Sequence, residues 1–310
     1  MGRILTIPRK VEDDFHLVEI HNQFEREGCE LSVHTFRAEM GENLQAWTAF
    51  CGGRVVGYSR LRPAWWRNDP RAYEMDIRVE PDFQRRGVAT ELYSTLFNSL
   101  QERAISRIEC WVRGRNSGGM QFVLRHGFRE SGEVIQEYRL DLADANPIEC
   151  KSLGEGVRIV RLSEIAGDRE SFLHALKRLW DGINQDEAKL GTPESSNESF
   201  LQWKRQVIEG NGLSAETHWV ALDGNAPVGC TYLRRLNGES AENDFTGVAK
   251  THRGRGIATA MKLRSIDWAK QNGVKRFYTS SEVGNSSMIG IHLRLGYFPG
   301  EMVAKAVRES

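Results

Sequence analysis

The chain carries one pattern twice, and that duplication restricts its fold more than any other feature. Residues 79–128 align without a gap on residues 248–297, every position displaced by 169. Gln84-Arg85-Arg86-Gly87-Val88-Ala89-Thr90 falls on Arg253-Gly254-Arg255-Gly256-Ile257-Ala258-Thr259. Asn116-Ser117 falls on Asn285-Ser286, Leu124-Arg125 on Leu293-Arg294, and Gly127-Phe128 on Gly296-Tyr297. Upstream, WTAFCGGRVVG at 47–57 pairs with WVALDGNAPVG at 219–229, displaced by 172. The difference falls in the segment around Pro63-Ala64-Trp65-Trp66-Arg67-Asn68-Asp69-Pro70. Drift after duplication leaves such an indel in a surface loop between aligned strands. In a chain of 310 residues, two copies predict two domains of one fold, each able to bury its own core.

The copies read alike. Apolar runs at 47–50 and 55–61 flank Cys51-Gly52-Gly53-Arg54, a hairpin signal repeated at 219–222 and 228–233 around Asp223-Gly224-Asn225. A further strand, 73–79 or 244–248, leads into the Gly-rich loop. A helix then starts at Val88 or Ile257. In the first copy Ala89, Leu92, Leu96 and Leu100 form its apolar stripe. Strands are expected at 105–112 and 274–279, then a second helix ended by Gly127 or Gly296. Helices are also expected at 12–27 and 171–180. The polar stretch 144–156, broken by Pro and Gly, reads as a linker between domains 1–143 and 157–310.

A strand feeding a Gly-rich turn and then a helix presents unpaired N–H groups at the helix N-terminus. Those donors and the helix dipole attract anions, phosphate above all. Gly87 and Gly256 admit close approach of the backbone. Ala89 and Ala258 keep the first turn small, and Arg85, Arg86, Arg253 and Arg255 add positive charge. Neither GxxxxGK[ST] nor a Rossmann-type GxGxxG is present.

With Gln84-x-x-Gly87-x-Ala89 and Arg253-x-x-Gly256-x-Ala258, both halves resemble the GNAT acyltransferases, whose signature is (Arg/Gln)-x-x-Gly-x-(Gly/Ala). The resemblance covers nearly the whole chain. It implies an α/β fold of α+β type: two tandem GNAT domains, each a mixed, mostly antiparallel sheet flanked by helices and splayed after its fourth strand. It also implies acetyl-CoA as cosubstrate, its pantetheine arm inserted like an extra strand along Arg78-Val79 and Val248-Ala249. The implied cofactor contacts are Val79, Gln84, Arg85, Arg86, Gly87, Val88, Ala89 and Asn116 in the first half. In the second they are Val248, Ala249, Arg253, Gly254, Arg255, Gly256, Ile257, Ala258 and Asn285. The two-domain arrangement is similar to that of the tandem members, mycothiol synthase among them.

Acyl transfer to an amine requires that the ammonium lose a proton and the departing thiolate gain one. The family often uses a carboxylate on the fourth strand and a Tyr seven residues after the Asn. Here that Tyr is replaced by Val123 and His292. Val123 carries no proton, whereas His292 can. Period-2 alternation puts Glu242, Asp244 and Thr246 on the face of Val248. In the first half it gives Tyr73, Met75 and Ile77, with Glu74 and Asp76 turned away. A β-bulge in the strand exchanges these faces. Catalysis is therefore expected in the second half, with Glu242 or Asp244 as base and His292 or water as acid. The first half is expected to be the weaker or inactive copy. The expected acceptor site is built from residues 180–206.

The expected activity is transfer of an acetyl group to a primary amine of a small molecule, by direct attack in a ternary complex. A non-catalytic acyl-CoA-binding or regulatory tandem protein, or a protein-lysine acetyltransferase, is the alternative. Equal numbers of basic and acidic residues, 42 each, give no whole-chain electrostatic support for a nucleic-acid or membrane-surface role. Five cysteines without a CxxC argue against a structural metal site and for a reduced, cytoplasmic setting. No apolar run approaches the ~20 residues of a membrane span. The expected state is monomer or homodimer, with no metal.

Overall fold

The computed structural model describes residues 3–26, 29–40, 45–64, 67, 69–100, 103–114, 117–145, 153, 156–188, 199–210, 213–236 and 238–309. Asn116, Trp65, Trp66, most of the 144–156 linker and the 191–197 loop lie outside them. The elements of the first half are β1 (Ile4–Pro8), α1 (Asp14–Asn22), α2 (Val33–Met40), β2 (Gln45–Cys51), β3 (Arg54–Pro63), β4 (Ala72–Val79), α3 (Val88–Asn98), β5 (Arg107–Arg113), α4 (Gly118–Arg125) and β6 (Arg129–Asp141). The second half continues with β7 (Val157–Arg161), α5 (Arg169–Ala188), α6 (Phe200–Trp203), β8 (His218–Asp223), β9 (Ala226–Arg235), β10 (Ser240–Val248), α7 (Ile257–Gln271), β11 (Arg276–Glu282), α8 (Ser286–Leu295) and β12 (Phe298–Glu309). No described helix is long and apolar enough to cross a membrane.

These elements form two compact units that do not follow chain order. The first contains residues 1–65, 69–132 and 304–310; the second contains 66–68 and 133–303. The strand order in the first is β1-β2-β3-β4-β5-β12, and in the second β6-β11-β10-β9-β8-β7. Each unit is thus completed by a strand from the other end of the repeat. In the first, the last residues supply the neighbour that the β5 backbone needs. Lys305 Nζ stands 3.6 Å from Glu109 Oε2, and the Cys110 thiol donates to the Ala306 carbonyl at 3.7 Å. Arg107 bonds Glu309 at 3.0 Å. Arg308 donates to the Tyr93 hydroxyl beneath α3. In the second, β6 runs antiparallel to β11 from Ile135 opposite Glu282 to Asp141 opposite Arg276.

Both units bury both sheet faces, as an apolar run such as β3 demands. In the first, Leu17, Ile20 and Phe36 of α1 and α2 pack with Tyr58 on one face, while Val88 and Leu92 of α3 pack with Val56 and Val79 on the other. In the second, Leu173, Leu176 and Trp180 of α5 pack with Trp203, Val220 and Cys230. Ile257 and Met261 of α7 pack with Ala221 and Val248 on the opposite face.

Each sheet opens at one place. The parallel strands β4 and β5 pair only from Ala72–Arg107 to Glu74–Glu109. Strands β10 and β11 pair only from Ser240–Arg276 to Asn243–Thr279. Beyond those residues the strands part, while β4 and β10 continue to Val79 and Val248.

Ending the chain at Val303 should therefore loosen the first unit, although the deletion is far from it in sequence. Glu109, 0 % exposed in the whole chain, would lose its Lys305 partner and the strand beside it. Hydrogen-exchange mass spectrometry is expected to show lost protection across 107–113. Unchanged protection there would contradict the assignment of 304–310 to the first unit.

Candidate functional site

The two Gly-rich turns have the same geometry. In each, a short 3-10 turn is followed by two left-handed residues, Arg85 (φ 60°) and Gly87 (φ 84°) or Gly254 (φ 77°) and Gly256 (φ 82°). Arg85 is the one described non-glycine residue with positive φ. Gly87 and Gly256 are the N-caps of α3 and α7, and neither helix start has a side-chain cap. The first i→i−4 bonds are Glu91 N–H to Gly87 O at 3.0 Å and Ala260 N–H to Gly256 O at 2.9 Å. The amides of Val88, Ala89 and Thr90, and of Ile257, Ala258 and Thr259, precede them and point out of the helix. A Cβ built on Gly87 or Gly256 meets nothing within 4 Å, so both cradles face open space. Val88 and Ile257 are buried beneath them, with Ala89 and Ala258 packed alongside.

One brace recurs with different chemistry. The Gln84 side-chain amide donates to Val79 O at 3.1 Å, and Arg253 Nε donates to Val248 O at 3.0 Å. The first residue of the signature thus ties the loop to the end of its strand. Arg86 lies over the Phe83 ring, 5.3 Å from its centroid. An Arg255 nitrogen stands 3.4 Å from Thr251 O.

The expected face for Glu242 and Asp244 requires correction. The β9–β10 register shifts between Asn243 and Phe245, so Asp244 is an extra, bulged residue. Ala241 packs with Ile266 and Ala269 of α7, and Lys262 of α7 donates to Asn243 Oδ1. Asn243, Thr246 and Val248 therefore share the α7 side, and Phe245 lies against Trp180 of α5 with ring centroids 6.0 Å apart. Glu242 and Asp244 lie on the α5 side with Arg234. Arg234 reaches Asp244 Oδ2 through Nε at 2.8 Å and its terminal nitrogen at 2.7 Å, and pairs in register with Glu242. The two acids thus flank the point where β10 leaves β11, on the face covered by α5.

The matching face of the first unit is occupied. Strand β4 has no register shift against β3, and its carboxylates are held by arginines. Asp76 Oδ2 lies 3.2 Å from both Arg60 and Arg78. Arg78 also pairs with Glu25 at 2.8 Å. Tyr58 bridges Asp76 at 3.4 Å and His21 at 2.8 Å. Burial opposes ionisation of Asp76, but Arg78 and Arg60 overcome it and hold the carboxyl well below the usual range. Burial, with Arg78 beside it, pushes His21 down to about 3, so its ring is neutral.

His292 is not placed for acid catalysis. It is 0 % exposed, its ring lies 4.8 Å from that of Tyr138, and both ring nitrogens lack a hydrogen-bond partner. Burial, followed by the charge of Lys262, pushes its pKa down to about 2. A ring that stays neutral at physiological pH lacks the imidazolium proton that a general acid would pass on. Asn285 is the N-cap of α8, its Oδ1 accepting from Met288 N–H at 3.1 Å. Sequence reasoning missed Arg234, Asn243 and Lys262. Lys262 stands where the first copy has Tyr93, a difference inside the aligned block that could have flagged it. Among the described residues, no group of His, Cys, Asp and Glu could hold a metal ion.

The Acetyltransferase (GNAT) family model matches residues 13–128 and again 176–297. A mycothiol acetyltransferase of Parafrankia sp. (strain EAN1pec) is 22% identical over 276 residues, covering 83% of this chain and 81% of the relative. A GCN5-related N-acetyltransferase structure from Sphaerobacter thermophilus superposes with TM-score 0.73 at 15% identity, covering 99% of this chain and 95% of that one. A tandem GNAT protein from the clavulanic acid biosynthesis pathway does so with TM-score 0.73 at 18% identity, covering 99% and 98%.

The burial of His292 has a pH signature. Its folded value of about 2 lies below the ordinary 6.5 of the unfolded chain. The unfolded state therefore binds a proton that the folded state refuses, and stability falls as pH drops below 6.5. His292→Leu removes that term, worth up to about 1.4 kcal/mol per pH unit. Melting temperatures from pH 7 to 4.5 should fall less steeply than in the parent. At pH 8 the variant should melt no lower, because no hydrogen bond is lost. An identical slope would place His292 in water instead.

Proposed function

The chain belongs to the GNAT acetyltransferase family, and from that premise we propose that it transfers the acetyl group of acetyl-CoA to a primary amine of a small molecule. The second unit is the catalytic one. The carrying observation is the bulge at Asp244, which sets Glu242 and Asp244 on the α5 face beside the opening of the sheet.

The residues present fit the cosubstrate. The open, uncapped turn from Arg253 to Ala258 offers amides to a diphosphate. Arg255 adds charge, while Arg253 braces the loop through Val248 O. The stretch of β10 beyond Asn243, no longer paired to β11, offers backbone groups to the pantetheine amides. Glu242 and Asp244 both stand beside Arg234, and one of them takes the proton from the attacking ammonium; Glu242, in register with Arg234, is the one put to the test below. The amine nitrogen bonds the carbonyl carbon, the C–S bond breaks with its electron pair going to sulfur, and the second N–H proton passes through water to the departing thiolate. The acceptor lies on the α5 side, toward Trp180. Amino sugars, cysteinyl sugars, aminoglycosides, polyamines and amino acids all carry a suitable amine; the mycothiol acetyltransferase relatives favour the small-molecule class.

In the first unit the acids are locked by Arg60 and Arg78, and Val123 stands at the family's Tyr position. That unit holds the coenzyme through residues 84–89 without turnover. A wholly non-catalytic, acyl-CoA-binding protein is the second reading. It is favoured by one feature, the lack of a side-chain proton donor at Val123 and His292.

Asp tolerates left-handed backbone and places a carboxylate where phosphate would lie. Gly256→Asp should weaken acetyl-CoA uptake in the second unit more than tenfold by calorimetry, and Gly87→Asp should remove only the other site. Glu242→Gln should lower the rate of amine-dependent thiol release by about a hundredfold, leaving the KM for acetyl-CoA unchanged. Binding without thiol release across a panel of primary amines would favour the non-catalytic reading. Uptake unaffected by either Asp substitution would end the proposal.

A further inference from the structure

The α7 side of the second unit holds a cation that the proposed chemistry does not use. Lys262, in the middle of α7, is 1 % exposed. Its ammonium donates to Asn243 Oδ1. Asn243 is the last residue of β10 paired to β11, opposite Thr279, whose hydroxyl donates to Asn243 O at 3.0 Å. The Asn243 amide nitrogen donates to Thr231 Oγ1 at 2.8 Å and Tyr232 O at 3.1 Å, and its Oδ1 accepts from Thr246 at 2.9 Å. The charge is thus one hydrogen bond from the residue at which the sheet opens.

Nothing described neutralises it. Burial is the sole influence on the Lys262 ammonium, lowering it to about 7 with no carboxylate acting against that shift. Its other neighbours are the Tyr297 ring, centroid 5.9 Å away, and His292, which stays neutral. The Tyr297 hydroxyl and both His292 nitrogens are buried without partners. A buried, uncompensated cation lowers stability, and apolar groups of similar volume are commonly tolerated better. At the same place in the repeat, the first unit has Tyr93, whose hydroxyl donates to His126 O at 3.3 Å. The charge therefore distinguishes the second unit from its copy.

We propose that Lys262 is a positioning residue of the acetyl-transfer site: held through Asn243, it keeps a positive charge beneath the opening of the sheet and thereby favours the coenzyme thiolate over the thioester. This rests on the reading of the second unit as the acetyl-CoA site. As the C–S bond breaks, the electron pair goes to sulfur, and a nearby fixed cation stabilises that charge more than the neutral thioester. Lys262 is not consumed; water still protonates the sulfur.

The test uses the full chain carrying Gly87→Asp, which silences the first cradle. CoA and acetyl-CoA are titrated by calorimetry at pH 6, where Lys262, lowered to about 7, keeps its charge, and melting is followed in parallel. The parent should bind CoA more tightly than acetyl-CoA. Lys262→Met should weaken CoA by about tenfold relative to acetyl-CoA, lower the maximal rate of thiol release at unchanged KM, and melt no lower than the parent. Lys262→Gln keeps a donor for Asn243 without the charge and should lose the same preference. A preference surviving in Gln, equal weakening of both ligands, or a fall in melting temperature with the preference intact would each overturn the inference and leave a structural lysine. Failure of the parent to take up either form would overturn the reading of the second unit as well.

Discussion

The site depends on a parallel strand pair that starts and then stops. Strands β10 and β11 share four register positions before parting, and β4 and β5 share three. A sheet ordinarily pairs every backbone group it can. Here one side of each long strand beyond the parting is left to find other partners, and the strand runs on to a helix start whose amides are uncapped. In the function proposed above, those two sets of polar groups form a continuous lining for an extended, phosphate-tipped ligand. The Gly-rich turns are the end of that lining, and the braces from Gln84 and Arg253 to their strands fix turn to slot.

On this common frame the units diverge by charge placement. In the first, Asp76, Arg60, Arg78, Glu25 and Tyr58 satisfy one another, and the face is closed by its own ions. Removing one partner from such a buried set strands the others, at a cost of about 3–5 kcal/mol, so the cluster resists drift once formed. In the second, one extra residue rearranges the strand. Arg62 faces Glu74 across β3–β4, and Arg234 faces Glu242 across β9–β10. Those positions are equivalent, and Asp244 is the insertion between them and the matched strand ends.

Much of the frame was legible because it is written in spacing. The hairpins around Gly52-Gly53 and Asp223-Gly224, the helix starts at Val88 and Ile257 and the C-cap at Gly296 follow from local turn chemistry, and the structure shows them. The faces of Glu242 and Asp244 were misread because alternation assumes an unbroken pleat, and a bulge leaves no residue-type signature. Its trace was a change of displacement, 169 at Val79 and Val248 against 168 at Glu74 and Glu242. His292 was misread because position in a motif does not reveal burial. The strand exchange was illegible for a deeper reason. Residues 133–141 and 304–310 have the alternation any edge-seeking strand would have, and which sheet each joins is decided by long-range packing alone.

That exchange reaches into biosynthesis. The ribosome releases β1 through β5 early, yet the strand that completes their sheet ends at Glu309. At roughly 5–20 residues per second, the nascent half waits on the order of 10–40 seconds with the β5 edge unfilled, an invitation to mispairing. The first unit closes only once residues 304–310 have emerged, so the two halves of the repeat have become a single folding transaction that neither can complete by itself.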